Sequence, residues 1–292
     1  MREFEFLEPS SVAEASRMLA DSGDDCRAIA GGTALLLAMR QRMATPTHVV
    51  SLAKIERLRG IVFDAQKGLR IGALSKHSDV ERSALVQTHY PMLASMAARV
   101  ANPQVRNQGT IGGNLCYADP ATDPPGCLMS LGATVVLGSV RGDRVLTMAE
   151  FLVDYYTTAL EPDEVLVEIR VPLPASDNDG LYSRFRRTAA EHRPLVNLAL
   201  MTRRQGAVCR EARLVVGAST AIPTRVLRAE EFLAGKTITP DVAAEAADMV
   251  AADIEPLSDQ RGTADYRRSM ARVVARRAIA GLFGLADNEA NT

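Results

Sequence analysis

Two glycine pairs carry the candidate chemistry of this 292-residue sequence, and each lies in a run of small and apolar residues. The first run is Ala30-Gly31-Gly32-Thr33-Ala34-Leu35-Leu36 and the second is Thr110-Ile111-Gly112-Gly113-Asn114-Leu115. Glycine lets the main chain approach a ligand closely, and a helix that begins at Thr33 would direct its unpaired N–H groups toward an anion. Each pair can expose backbone N–H groups, and together the pairs could bind a diphosphate. Either pair alone is also typical of an ordinary turn.

Two common nucleotide-binding patterns are missing from these glycine motifs. The pair Gly31-Gly32 lacks the GxGxxG spacing, and neither pair is followed by Gly-Lys-Ser or Gly-Lys-Thr. A nucleotide bound by these motifs would therefore be held in a different way.

The sequence predicts no catalytic side chain and no metal site. It contains no metal-ligand cluster, no plausible catalytic triad and no paired carboxylates placed for hydrolysis. The four cysteines, Cys26, Cys116, Cys127 and Cys209, never approach a CxxC spacing. We therefore predict four buried thiols and no zinc site or iron–sulfur cluster held by this chain.

The composition of the chain indicates where the protein is located and which classes of partner it can bind. The chain has 34 basic and 35 acidic residues and is 47% hydrophobic, so it can form sizeable cores and has no basic surface for nucleic acid. Its longest apolar run, residues 34–39, is far shorter than the ~20 residues that cross a bilayer. The first residues lack the apolar core of a signal peptide. We expect a cytoplasmic protein without a membrane span.

The elements that position the glycine pairs alternate between strands and helices. Phe4–Phe6 has a strand pattern, and Ser11 followed by Glu14 predicts a capped helix. Strands are then predicted at 27–30 and 47–52, with a turn and a helix from Thr33 to Arg40 between them. Regular periodicity disappears between Ala101 and Pro125, where the second pair lies; a long irregular stretch in a compact domain is usually functional.

A proline-rich and polar segment, residues 172–180, indicates a boundary before the last part of the chain. Beyond it the sequence predicts three strands and three helices, at 181–185, 195–202, 212–216, 226–233, 242–252 and 264–283. The spacing of arginines and apolar residues in the last helix predicts a basic face, which either contacts solvent or binds an acidic partner. Its arginines are Arg267, Arg268, Arg272, Arg276 and Arg277.

The two glycine motifs, the run from Ala118 to Pro125 and the run from Glu164 to Pro172 occur in an order that resembles one family. That family is the FAD-binding medium subunit of molybdenum hydroxylases, which includes xanthine dehydrogenase and carbon monoxide dehydrogenase flavoprotein subunits. The resemblance extends from Phe4 to about Phe283. It implies an α+β fold: a two-lobed vanillyl-alcohol-oxidase (PCMH) type FAD-binding domain and a flavoprotein C-terminal domain with a three-stranded antiparallel sheet and helices.

The implied domains are residues 1–175, with lobes at about 1–55 and 56–175, and residues 180–286 for the carbon monoxide dehydrogenase flavoprotein-type domain. By the same resemblance, the residues that bind FAD fall into four groups. The first and second diphosphate loops are Ala30, Gly31, Gly32, Thr33, Ala34 and Leu35, then Thr110, Gly112, Gly113 and Asn114. Asp123 matches a carboxylate that binds the sugar alcohol of the cofactor. The apolar positions beside the cofactor are Val100, Leu166 and Leu195.

Arg186 stands where a lysine is common in the family, and we include it among the cofactor-binding residues. Arg186 and Arg187 could stabilise an anionic reduced flavin or could simply face solvent. Glu191 and His192 are weaker candidates on the same segment.

The function implied by the resemblance is electron transfer. FAD would take electrons from [2Fe–2S] clusters on a small subunit and pass them to NAD, quinone or oxygen, while a large molybdopterin subunit oxidises the substrate. The expected assembly is a dimer of heterotrimers. Two alternatives stay open: a self-contained FAD-dependent oxidase or dehydrogenase, and a nucleotide-binding regulatory module without redox activity.

Overall fold

A computed structural model describes residues 2–285 of the chain. Fourteen strands lie within this range: β1 (Glu5–Leu7), β2 (Cys26–Ile29), β3 (His48–Ser51), β4 (Ile61–Asp64), β5 (Gly68–Gly72), β6 (Thr134–Ser139), β7 (Gly142–Thr147), β8 (Leu152–Asp154), β9 (Thr157–Thr158), β10 (Val165–Val171), β11 (Asn178–Phe185), β12 (Val196–Gln205), β13 (Val208–Gly217) and β14 (Thr224–Arg225).

Twelve α-helices lie in the same described range: α1 (Val12–Ser22), α2 (Leu35–Arg40), α3 (His77–Arg82), α4 (Ala84–His89), α5 (Pro91–Arg99), α6 (Pro103–Arg106), α7 (Ile111–Tyr117), α8 (Pro124–Ser130), α9 (Met148–Phe151), α10 (Leu227–Leu233), α11 (Pro240–Asp253) and α12 (Ala264–Leu282). None of these helices is long and apolar enough to cross a membrane.

The described residues form two compact units, each built from segments that are separate in sequence. The first unit contains residues 2–88, 100–119 and 132–173. The second contains residues 89–99, 120–131 and 174–285. The second unit therefore takes α5 and α8 from the part of the chain that precedes the predicted linker. Residue 286, the end of the predicted second domain, lies outside the described residues.

In the first unit, β1, β3 and β2 form a parallel sheet in that order, connected through α1 and α2. The predicted cap of α1 is confirmed, because the Ser11 hydroxyl accepts from the Glu14 N–H at 3.2 Å. The Glu14 carboxylate accepts from the N–H of Ser10 at 2.7 Å rather than from that of Ser11. The buried face of α1 joins a core with β2, β3, β6 and β10.

The second sheet of the first unit is antiparallel, with the order β4-β5-β10-β6-β7. Its central strand β10 is a nearly continuous apolar run, as expected for a strand that is covered on both faces. The register of β10 against β6 shifts between Leu166 and Glu168. This sheet supplies Ala73, just after β5, as the floor on which the second glycine motif packs.

Two helix predictions require correction. The helix after the first glycine pair begins at Leu35 and not at Thr33, so Thr33 and Ala34 form a turn. The stretch 101–125 is not irregular: it contains the short helices α6 and α7 and the beginning of α8. Each is only four to seven residues long, which explains why their apolar periodicity could not be seen in the sequence.

The second unit contains an antiparallel sheet of four strands, β11-β12-β13-β14, instead of the predicted three. The additional strand, β14, has two residues and pairs with β13 near Val215 and Val216. Alternate residues of β12 point to opposite faces. Val196, Leu198 and Leu200 join the core with helices α10 to α12, while Asn197 faces Gly126 of α8.

The basic face predicted for the last helix is wrong at Arg267. This side chain is 1% exposed and points into the second unit. Its Nη1 donates to the carbonyl oxygens of Leu195 at 3.0 Å and Ala218 at 2.8 Å, and its Nη2 pairs with Asp259 at 2.6 Å. Arg267 therefore joins α12 to the segment that begins β12.

Replacement of Arg267 by Met should lower the free energy of unfolding by about 3 kcal/mol, since two main-chain carbonyls lose their buried donor. Urea unfolding of the purified chain measures this loss. The control is Arg272→Met on the same helix, because Arg272 is more than half exposed and pairs with Asp248 at the surface; we expect less than about 1 kcal/mol. Equal losses in the two variants would contradict a structural role of Arg267.

Candidate functional site

The first glycine motif connects β2 to α2 and passes directly against the chain that precedes the second motif. A Cβ atom on Gly31 would lie 2.2 Å from the Gln108 carbonyl oxygen and 2.8 Å from the Gly109 Cα. Both neighbours are main-chain atoms, which cannot move aside as a side-chain end can. Only glycine fits at position 31 for this reason.

The next residue, Gly32, has a φ of 69°, in the left-handed region that favours glycine. The chain turns here, and five consecutive backbone N–H groups, those of Gly31 to Leu35, donate to no group among residues 2–285. We call this set of donors the N–H cradle. A run of unpartnered N–H groups in a turn forms a concavity of positive partial charge that suits an anion.

The second glycine motif, unlike the first, has acceptors within the protein for its N–H groups, so the prediction that it exposes them is wrong. It forms the first turn of α7, which Thr110 caps: the Thr110 hydroxyl accepts from the Gly113 N–H at 3.1 Å. The N–H groups of Ile111 and Gly112 donate to the carbonyls of Ser75 and Ala73, both at 2.9 Å. These donors are already used inside the protein.

Gly112 is the glycine of the second motif that close packing requires. A Cβ on Gly112 would lie 2.6 to 2.9 Å from the Cβ, carbonyl oxygen and Cα of Ala73. A Cβ on Gly113 would lie 2.8 Å from the Thr110 hydroxyl oxygen and at an ordinary contact distance, 3.6 Å, from the Ala30 Cβ, and one on Gly109 would lie 3.2 Å from the Thr33 hydroxyl oxygen. The structure therefore brings the two motifs together within the first unit.

Two predicted apolar residues also belong to the first unit. Val100 is 5% exposed, and its carbonyl accepts from Arg106 Nη1 at 3.1 Å. Leu166 of β10 is 3% exposed and precedes the register shift of that strand. Burial of both side chains suits either a core or a wall beside a bound group.

Three further predicted residues, Asp123, Arg186 and Leu195, lie in the second unit. Leu195 is buried, and its carbonyl accepts from Arg267 and, at 3.3 Å, from the Ser219 hydroxyl. The Leu195 side chain packs beside Gly262, where an added Cβ would lie 3.4 Å from its Cδ1. Leu195 thus holds a fixed position in the segment before β12.

Asp123 is 2% exposed and takes part in a buried network that the sequence did not reveal. The hydroxyl of Tyr182 donates to Asp123 Oδ1, and Arg184 Nη1 donates to Asp123 Oδ2 at 3.1 Å. Arg99 of α5 in turn donates to the Tyr182 carbonyl at 3.0 Å. Burial raises the pKa of Asp123, and the positive charge of Arg184 opposes that rise. Alternation along β11 would have shown that Tyr182 and Arg184 share one face.

The segment after β11 contains the remaining candidates. Arg186 Nη1 donates to the carbonyls of Ala189 and Glu191, at 3.0 and 3.1 Å, so this guanidinium closes a loop of its own segment. Arg187 forms an ion pair with Glu191, which also lowers the pKa of that carboxylate. His192 is exposed. The interaction of Arg186 with a flavin therefore stays a prediction.

The prediction of four buried thiols is confirmed for three of the cysteines, whereas Cys116 is only partly buried. All four are free thiols, of which Cys26, Cys127 and Cys209 are buried. Burial raises the pKa of Cys116 to about 12 and that of Cys209 to about 11, which keeps both protonated. No group of three or more metal-ligating side chains lies among residues 2–285.

Two family models match almost the whole chain. The FAD binding domain in molybdopterin dehydrogenase matches residues 2–174, and the CO dehydrogenase flavoprotein C-terminal domain matches residues 181–282.

Individual relatives agree with these models along nearly their full length. The chain is 36% identical over 278 residues to the carbon monoxide dehydrogenase medium chain of Hydrogenophaga pseudoflava, covering 94% of this chain and 96% of that one. It is 33% identical over 279 residues to the 6-hydroxypseudooxynicotine dehydrogenase complex subunit alpha of Paenarthrobacter nicotinovorans, covering 95% and 93%. A solved carbon monoxide dehydrogenase from H. pseudoflava, which lacks the Mo-pyranopterin moiety, superposes with a TM-score of 0.93 at 35% identity, covering 97% and 98%.

The packing of the second motif predicts that replacing its two glycines by alanine will lower the stability of the protein to different extents. Gly112→Ala should lower the free energy of unfolding by about 2 kcal/mol or more, because its Cβ overlaps the Ala73 main chain. Gly113→Ala should change it by less than about 1 kcal/mol, because its one short contact is with the Thr110 hydroxyl and the gain in helix propensity offsets a weakened cap. Urea unfolding of the two variants tests the difference, and a larger loss for Gly113→Ala would contradict the packing.

Proposed function

The chain belongs to the family of FAD-binding medium subunits of molybdenum hydroxylases, and from this we propose that its N–H cradle binds the FAD diphosphate in an electron-transferring complex. The observation that carries the assignment is the row of five unpartnered N–H groups from Gly31 to Leu35. A diphosphate offers several anionic oxygens, and hydrogen bonds from N–H groups to a charged acceptor are stronger than neutral ones. The donor set therefore fits the cofactor.

The second motif packs against the first motif, which contains the N–H cradle. Gly112 lets α7 lie on Ala73, and Gly113 leaves room beside Ala30 at the beginning of the first motif. We propose that the second motif forms part of the surface around the diphosphate site, through Thr110, Gly112, Gly113 and Asn114. The first motif contributes the main-chain donors.

Val100, Leu166 and Leu195 are the proposed apolar neighbours of FAD, and Asp123 is the proposed acceptor for its sugar alcohol. Each carboxylate oxygen can accept more than one hydrogen bond, so the contacts of Asp123 with Tyr182 and Arg184 leave it further acceptor capacity. The two contacts also fix the orientation of the carboxylate. Arg186 is proposed to act near the flavin only through the loop that it closes.

FAD itself supplies the redox chemistry, accepting electrons and releasing them to a second acceptor. The residues of this chain bind the cofactor, orient it and exclude water from it. We propose that [2Fe–2S] clusters reside on a small partner subunit, since residues 2–285 of this chain bring together no group of three or more side chains that could ligate a metal. A large molybdopterin subunit would oxidise the substrate, in a dimer of heterotrimers that passes electrons to NAD, quinone or oxygen.

Two of the relatives support an assembly of several chains, since one is named as a medium chain and the other as a subunit of a complex. The cytoplasmic location stays a prediction from the sequence.

The first test of the function concerns FAD retention. The purified chain should contain one FAD, and acid precipitation should release the yellow colour because the cofactor is bound without a covalent bond. Gly113→Val should purify with less than about a tenth of that FAD, because its branched side chain fills the space toward Ala30.

Gly281→Val is the matched control, because Gly281 is also helical and an added Cβ would meet nothing within 4 Å. Absorbance at 450 nm and the unfolding midpoint are measured for all three proteins. If a folded Gly113→Val protein keeps the FAD content of the control, the two motifs do not form the diphosphate site.

A second test addresses the partners. Affinity purification of the chain under native conditions should retain two further subunits, with molybdenum and iron present in the complex by elemental analysis. The chain produced alone should contain FAD and neither metal. Isolation as a single chain that oxidises an organic substrate with an artificial acceptor would instead support a self-contained flavoenzyme.

A further inference from the structure

His77, the first residue of α3, is a buried imidazole for which the fold provides no partner. The residue is 3% exposed, and its ring neither donates to nor accepts from any group among residues 2–285. Buried polar groups in native proteins almost always have a hydrogen-bond partner. Some side-chain atoms without a partner, such as Asn197 Oδ1 and Arg267 Nε, have almost no solvent-accessible surface, but the ring nitrogens of His77 are not among them. An atom from outside the chain can therefore reach the ring.

Main-chain contacts place this ring at the edge of the N–H cradle. The His77 N–H donates to the Gly109 carbonyl at 3.1 Å, which fixes α3 against the segment between α6 and α7. A Cβ on Gly109 would lie 3.4 Å from His77 Cδ2 and 3.2 Å from the Thr33 hydroxyl oxygen. The imidazole and the hydroxyl thus lie against the same face of Gly109, and Thr33 is itself a member of the cradle.

The charges around His77 keep the ring neutral. Burial and the nearby guanidinium of Arg106 lower its pKa to about 4. Arg106 is itself paired with Glu81 of α3 at 3.0 Å and donates to the Val100 carbonyl. A neutral imidazole carries one N–H donor and one acceptor nitrogen at pH 7. It can therefore donate to an anion without the cost of burying a second positive charge beside Arg106.

We propose that His77 is a further diphosphate-binding residue, whose imidazole N–H donates a hydrogen bond to an anionic oxygen of the ligand in the N–H cradle. The inference rests on the proposed function, because it takes the cradle as the FAD diphosphate site. It adds a side-chain donor from α3 to a site otherwise built from main-chain N–H groups. It also gives α3 a direct part in cofactor binding.

The test compares the affinity of the full chain, freed of FAD, for three probes: FAD, ADP and riboflavin. FAD and ADP contain the diphosphate, whereas riboflavin contains no phosphate. His77→Phe, which keeps a ring but has no donor, should weaken FAD and ADP binding by about 10-fold or more, as expected for a hydrogen bond to a charged group. Riboflavin binding should stay unchanged. His77→Gln, which restores an N–H donor, should bind FAD within about 3-fold of the unmodified chain.

His48→Phe provides the control, because His48 lies in the same unit and pairs with Glu5 at the surface. The unfolding midpoint of each FAD-free variant is measured first, and His77→Met replaces His77→Phe if the latter does not fold. Unchanged FAD affinity in the folded apolar variant overturns the proposal. So does an equal weakening of riboflavin, which would indicate a structural role. Failure of the unmodified chain to bind FAD would instead refute the proposed function.

Discussion

Close approach of main chain to main chain, at positions where no side chain fits, is the constraint on which the candidate site depends. Gly31 lies against Gln108 and Gly109, and Gly112 lies against Ala73. The first contact joins segments that are about 80 residues apart in sequence, and the second joins α7 to the residue that follows β5. Because main-chain atoms cannot rotate away, neither position accepts a side chain larger than that of glycine.

The two glycine pairs have the same sequence but different physical roles. In the first pair, the left-handed Gly32 turns the chain so that five N–H groups remain without acceptors inside the protein. In the second pair, the helix cap on Thr110 and the carbonyls of Ser75 and Ala73 use the donors of residues 111–113. One motif therefore leaves its donors available to the proposed ligand, and the other motif provides a surface against which the first motif packs.

Sequence reasoning predicted what depends on local pattern. It identified the glycine positions, the strands β2 and β3 and the cap of α1 at Ser11, since each has a signal within a few residues. It failed where the structure is decided by distant partners. Arg267 has the periodicity of an exposed helix face, yet three groups from elsewhere in the second unit bury it. The donors of the second motif were misjudged for the same reason, because their acceptors, the carbonyls of Ser75 and Ala73, lie in the turn after β5.

The protonation state of Asp123 also depends on residues that are distant in sequence. Resemblance to the family identified the carboxylate, but its ability to accept hydrogen bonds depends on its protonation state, which other residues control. Burial raises its pKa, whereas Arg184 and Tyr182 stabilise the ionised form through contacts across about 60 positions of sequence. Loss of Arg184 would leave a desolvated carboxyl group with a strong tendency to protonate. A protonated Asp123 would carry one O–H donor and less acceptor capacity than the carboxylate, so Arg184 controls the hydrogen bonds available for the proposed contact with the sugar alcohol.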